Sequence, residues 1–305
     1  MGIRLFKQPK LKQPELLCGW PGIGNIGLIA ISTLKRVLMA EEFAEIEPWD
    51  FFYPEKVSIK DGLLTELQFP GNKFYYQRLQ KKDLLLFIGE KQPGEGERMY
   101  ATGEKAYRLA NLVLDVAERF GCRRVYTSGA SVSPVHHTMK PRVVSVLSSD
   151  RLAGEVSRYP NTVLISEIGG RENEGVITGL NGLLLALAKK RGLESICLMG
   201  EIPDWLSGSP FPYPKAAKSV LEVFADILGI GIDLTVLDEM TAQIEGIVEK
   251  LYEGFPPEIR ERYDQRKFVA QAEPAGITEQ DARWIKEHIN GFFKQEGEQG
   301  GKGST

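Results

Sequence analysis

The feature that most constrains this chain lies between residues 83 and 128. Residues 83–89 form an unbroken apolar run, Leu84 to Ile88, between Asp83 and Gly89. Such a run, with no polar alternation, reads as a strand covered on both faces. A loop at 92–96 follows. Residues 100–120 then carry a helical period, with Tyr107, Ala110, Leu114 and Ala117 on one face. Gly121 stands where a helix C-cap belongs, and residues 124–128 resume as a strand. Strand, helix and strand at this spacing form a βαβ unit, whose strands are parallel and whose crossover is right-handed.

The same alternation recurs along the chain. Residues 15–20 read as a buried strand, a turn carries Pro21, Gly22, Gly24 and Gly27, and a helix follows over 28–39. Residues 44–77, broken by proline and glycine, read as short strands over 49–53, 63–69 and 74–77 in a hairpin or meander. Strands are expected at 161–165 and 195–199, and helices at 180–190 and 214–228. The fold class is therefore α/β, a layered core on a largely parallel or mixed sheet over residues 1–235. Beyond Asp233 the strand signal stops. Leu237, Met240, Ile244, Val248 and Leu251 recur at helical spacing, and a last helix is expected from Thr278 as N-cap. Residues 236–295 thus form a helical extension, and the polar, glycine-rich residues 296–305 are expected to be disordered.

Charge and cysteine use exclude several function classes. Lys+Arg total 38 against 41 Asp+Glu, a net charge of −3, without the basic excess that coating a nucleic acid needs. No run approaches the roughly 18 apolar residues that span a bilayer, and residues 1–14 lack a signal-peptide apolar region. Three dispersed cysteines, Cys18, Cys122 and Cys197, provide neither a disulfide framework nor a zinc site and suit a reducing cytoplasm.

Gly22, Gly24 and Gly27 match G-x-G-x-x-G after a strand and before a helix, with Asn25 inside the turn and Glu47 near the distance of a ribose-binding acid. Backbone N–H groups there could cradle a pyrophosphate; the same glycines could equally serve a tight turn and close helix–sheet packing. Pro21 and the broken stretch after Ala44 favour packing. A second glycine-rich approach, Gly175 and Gly179 to Gly182, lacks the lysine and hydroxyl of a P-loop. Glu167, Glu172, Glu174, Glu201 and Asp204 are expected beyond the strand ends, where open α/β sheets bind ligands. Of these, Glu167, Glu172 and Glu201 make a possible strand-end pocket with Gly179 and Asn181. His136 and His137 lack metal-ligand spacing, and Ser131 lacks the second glycine of a nucleophile elbow. The residues carry no catalytic constellation, no metal site and no cofactor requirement.

Three blocks resemble the proteasome assembly chaperone family, in the branch related to the second eukaryotic chaperone. They are Leu17 to Gly27; Gly175 to Leu185 leading to Ser195 to Pro203; and Tyr213 to Glu222 running to Asp233. The resemblance implies a fold similar to nucleoside phosphorylases, self-association, proteasome subunits as partners and no established catalytic residues. Some archaeal relatives end in a hydrophobic residue, a tyrosine and one more residue, which dock between proteasome α-subunits. This chain ends Gly303, Ser304, Thr305, so contact is expected instead through the helix carrying Leu237 to Leu251. The expectation is a non-enzymatic, protein-binding homo-oligomer. The alternative on such a fold is an enzyme or sensor for a nucleoside or small anion; a dinucleotide oxidoreductase would stand on the glycine fingerprint alone.

Overall fold

The apolar runs pair into one nine-stranded sheet. The computed structural model describes residues 2–94, 101–168, 175–267 and 278–300. In chain order the strands are β1 (Ile3–Leu5), β2 (Glu15–Gly19), β3 (Glu41–Ile46), β4 (Lys56–Lys60), β5 (Leu63–Gln68), β6 (Asn72–Gln77), β7 (Leu84–Gly89), β8 (Arg124–Ser133), β9 (Val143–Leu147), β10 (Thr162–Leu164) and β11 (Glu194–Pro203). The sheet runs β1-β3-β6-β7-β2-β8-β11-β9-β10, while among the described residues β4 and β5 pair only with each other. Its centre, β7-β2-β8-β11, is parallel. The flanks turn antiparallel at β7–β6 and at β11–β9. The sheet is thus mixed, with the expected parallel core.

The helices are α1 (Ile26–Val37), α2 (Gly103–Arg119), α3 (Ala153–Val156), α4 (Gly179–Lys190), α5 (Pro214–Leu228), α6 (Thr235–Glu253), α7 (Pro257–Gln265) and α8 (Glu279–Gly300). α1 and α5 cover one face of the sheet, where Ile31, Leu34, Tyr126, Val220 and Phe224 are buried. α2 and α4 cover the other, with Leu16, Phe87, Leu109 and Leu184. β2 and β7 are buried at every residue, which explains their unalternating sequence. α5 opens on Pro214 at its first turn and stops at Gly229 in the left-handed region, φ 65°, the usual start and stop.

Residues 49–53, expected as a strand, instead begin with a tight turn over Pro48–Asp50. Pro48 and Pro54 bracket the segment and neither can donate to a ladder. The helical extension is built onto the α/β layer rather than beside it. Leu237, Val248 and Leu251 belong to the same buried cluster as α5. Asp204, after β11, accepts from Arg266 Nη1 at 2.9 Å and Tyr263 Oη at 3.3 Å, which ties α7 down. Thr278 caps α8 as expected, its Oγ1 accepting from Asp281 N at 3.2 Å. α8 continues through Gly300, so residues 296–300, expected to be disordered, are helical, and the rest of that expectation, residues 301–305, lies outside the described residues.

Candidate functional site: the strand-end cleft

β8 runs beyond the C-terminal end of β2, and a cleft of about 270 Å³ opens in the step. Trp20, Gly22, Gln92, Ser131 and Asn181 line it. The first residues of α1 and the N-cap Thr178 of α4 face it as well. The fold therefore brings the two glycine-rich approaches together, at the edge where α/β sheets hold ligands.

The side chains there bind mainly the chain itself. Gln92 donates from Nε2 to the Pro21 carbonyl at 2.7 Å, and its Oε1 accepts from Leu180 N at 3.1 Å and Ala101 N at 3.3 Å. One amide thus ties the glycine turn, the start of α4 and the approach to α2. Asn181 Nδ2 donates to the Ser128 carbonyl at 2.9 Å. Asn25 sits in the left-handed region at φ 50°, and its Oδ1 accepts from Gly22 N at 3.4 Å.

The glycines allow close approach. A Cβ on Gly27 would overlap the Ser128 carbonyl, and one on Gly179 would lie 2.8 Å from Gln92 Oε1. Gly24 has φ 59°, and its carbonyl accepts from Tyr213 N at 2.8 Å. A side chain at that φ is strained. The dinucleotide reading fails on topology: Glu47 follows β3, which is separated from β2 by β6 and β7. Its carboxylate accepts from Gly2 N at 3.1 Å instead.

The carboxylates expected at the strand ends do not gather in the cleft. Glu167 Oε2 accepts from Leu164 N at 2.9 Å, closing its own turn. Glu201 is 1% exposed and is held by Arg142, with Nε–Oε2 at 2.9 Å, Nη2–Oε1 at 2.8 Å and Arg142 N–Oε2 at 3.0 Å. Hydrogen bonding to Glu201 keeps the Arg142 guanidinium above its ordinary pKa, against the opposing effect of burial. Glu172 and Glu174 lie outside the described residues. No charged side chain lines the cleft among the described residues.

Arg142→Ala should destabilise the protein by about 2 kcal/mol. Stranding a fully buried carboxylate costs about 3–5 kcal/mol, and partial exposure of this arginine reduces that. A denaturation midpoint equal to that of the unaltered protein would show that the pair does not clamp β9 to β11.

The helix expected to meet a partner meets its own chain. Leu237, Val248 and Leu251 are buried, and Met240 and Ile244 are half-buried against the same core. α6 packs on α5 and α8, and Lys215 pairs with Glu245 at 2.7 Å. Cys18, Cys122 and Cys197 are buried free thiols. Burial pushes the latter two up to about 12, so they are chemically quiet. Among the described residues no group of three His, Cys, Asp or Glu side chains could hold a metal ion. No helix among them is long and apolar enough to cross a membrane.

Gln92, Arg142 and Arg266 are the positioning residues that the sequence did not reveal. Gln92 works on partners 71 and 88 residues away, so no local pattern marks it.

Comparison with known proteins gives this architecture relatives. The chain is 30% identical to PbaB of Pyrococcus furiosus, an archaeal proteasome activator, whose structure superposes with a TM-score of 0.67 over 82% of this chain and 97% of that one. PbaA of the same organism, an archaeal homolog of proteasome-assembly chaperone, shares the fold at 20% identity, with a TM-score of 0.59 over 88% of this chain and 100% of that one. An uncharacterized protein of Methanocaldococcus jannaschii is 29% identical over 276 residues, 90% of this chain and 93% of its own length. The model of the PAC2 family matches residues 16–252, from β2 through nearly all of α6. The chain belongs to the PAC2 family.

Proposed function

We propose that this protein is a non-catalytic, self-associating factor that binds proteasome subunits and acts in the assembly or activation of the core particle. The observation that carries the reading is the likeness to an archaeal proteasome activator, which extends over nearly all of that protein's length. The cleft supports it. Gln92 and Asn181 hold backbone carbonyls and amides of their own chain, so the strand-end edge is organised as a scaffold. The buried core continues from the α/β layer into α6, α7 and α8, which suits a rigid body presenting surfaces to other proteins.

Capture of the tagged chain from its own cells tests this, with every co-purifying polypeptide identified. Recovery of proteasome α-subunits in stoichiometric amount is the expected result. Recovery of the tagged chain without them, from cells that contain assembled core particles, would remove the proteasome from the account.

A further inference from the structure

Among the described residues, β4 and β5 form a hairpin that joins no other strand. Its loop is Asp61 and Gly62, both at positive φ, 51° and 78°, the two-residue turn that suits hairpin twist. Val57 pairs with Leu67, and Ile59 with Leu64, across a bulge that leaves Thr65 unpaired. Without the bulge Leu64 and Leu67, three apart, would face opposite ways. With it, Val57, Ile59, Leu64 and Leu67 share one face. Lys56, Ser58, Lys60, Glu66 and Gln68 share the other with a single exposed aliphatic side chain, Leu63, and there Gln68 Nε2 donates to Ser58 Oγ at 2.7 Å. The four aliphatic side chains are 50%, 67%, 77% and 45% exposed. At the hairpin's base, Trp49 meets Phe69 edge to face, with ring centroids 4.5 Å apart, and both Trp49 and Tyr53 are exposed.

A two-stranded hairpin with an uncovered apolar face is marginal in water, and a contiguous patch of this kind marks an interaction surface. We propose that this face packs against the same face of a second copy of the chain, the two hairpins closing as a small four-stranded sandwich. The charge around the face argues for a second copy. Lys56 and Lys60 stand beside Glu55, Asp61 and Glu66, so both signs are present in near balance. Such a rim complements itself under a two-fold axis and sets up no single-sign field that would select a strongly charged partner. Edge-to-edge pairing through β4 about Ser58 would set Lys56 against Lys60 across the seam, which is unfavourable. Packing face to face avoids that clash and covers all four aliphatic side chains. The proposal rests on the self-association in the reading above and on no other part of it.

The double variant Ile59→Lys with Leu64→Lys tests the contact by sedimentation velocity at micromolar concentration. The assembly is expected to fall apart at this contact, from a pair to single chains if it is the sole interface. The melting temperature should stay near that of the unaltered protein, because both positions lie outside the buried core. Leu64→Cys supplies a second arm. All three native cysteines are buried, so a short bismaleimide should join two copies through this position. It should leave Val176→Cys, on a different exposed segment, unjoined. A monomeric unaltered protein, a double variant that sediments like it, or a Leu64→Cys protein that stays uncoupled would each overturn the proposal. Recovery of α-subunits is scored separately: a monomer that still captures them overturns the hairpin contact and leaves the proteasome reading standing.

Discussion

Gly27→Ala is expected to destabilise the protein by about 3 kcal/mol, the upper end of what overpacking usually costs. Gly27 is the second residue of α1, and an added Cβ would overlap the backbone carbonyl of Ser128 in β8. A flexible side chain could rotate away, but this neighbour is main chain in a strand paired on both sides. Relief therefore requires α1 to move off the sheet, opening contacts made by Ile26, Ala30 and Ile31 in the core. The Ser128 carbonyl also accepts from Asn181, so the displacement would pull on α4 and the cleft. Against a total stability of about 5–15 kcal/mol, that loss should lower the urea midpoint sharply. A midpoint within experimental error of the unaltered protein would show that α1 does not sit on β8 this closely.

Acidification from pH 6.5 to pH 4 should cost the protein about 3 kcal/mol through His136. Its ring is almost fully buried, 4.2 Å from His137 and 5.3 Å from Tyr252, with Nε2 3.4 Å from Asp264. Burial is the main cause that lowers it to about 4 in the folded protein. Repulsion from His137 and Lys267 adds to this, against the pull of Asp264. In the unfolded chain it titrates near 6.5. Between those values the unfolded state binds a proton that the folded state excludes. The contribution is therefore complete above pH 6.5 and is lost as pH falls towards 4. His137 is also lowered by burial, against the pull of Glu249, and adds in the same direction. The histidines pack against α6 and α7, so those helices should loosen first. Denaturant midpoints measured from pH 7 to pH 4 check this, with His136→Gln flattening much of the slope. Equal slopes in the two proteins would exclude His136 as the source.

The α/β class, the central parallel strands and most helices were legible because each carries a strong local signal. β2 and β7 are continuous apolar runs, and α5 has Pro214 at its start and Gly229 at its stop. β3 escaped because Glu41, Glu42 and Glu45 interrupt its apolar residues and a register shift between Glu42 and Ala44 breaks the alternation. β9 is only five residues long and gains its identity from pairing with β11, far along the chain. The cleft was half legible. Gly22 to Gly27 and Gly179 to Asn181 do converge, but the carboxylates expected with them have other partners. Glu201 looked like a free strand-end acid because nothing near it in sequence announces Arg142, 59 residues away. Likewise, periodicity identified the apolar stripe of α6 but could not say that α5 and α8 cover it.

The most direct test of the central claim, a PAC2-family scaffold that engages the proteasome, uses purified components. The full chain is mixed with core-particle α-subunits from the same organism, and the elution of both is followed by size-exclusion chromatography with multi-angle light scattering. Co-elution at a mass that contains both chains is the expected result. Separate elution, with each component folded and at micromolar concentration, would contradict it.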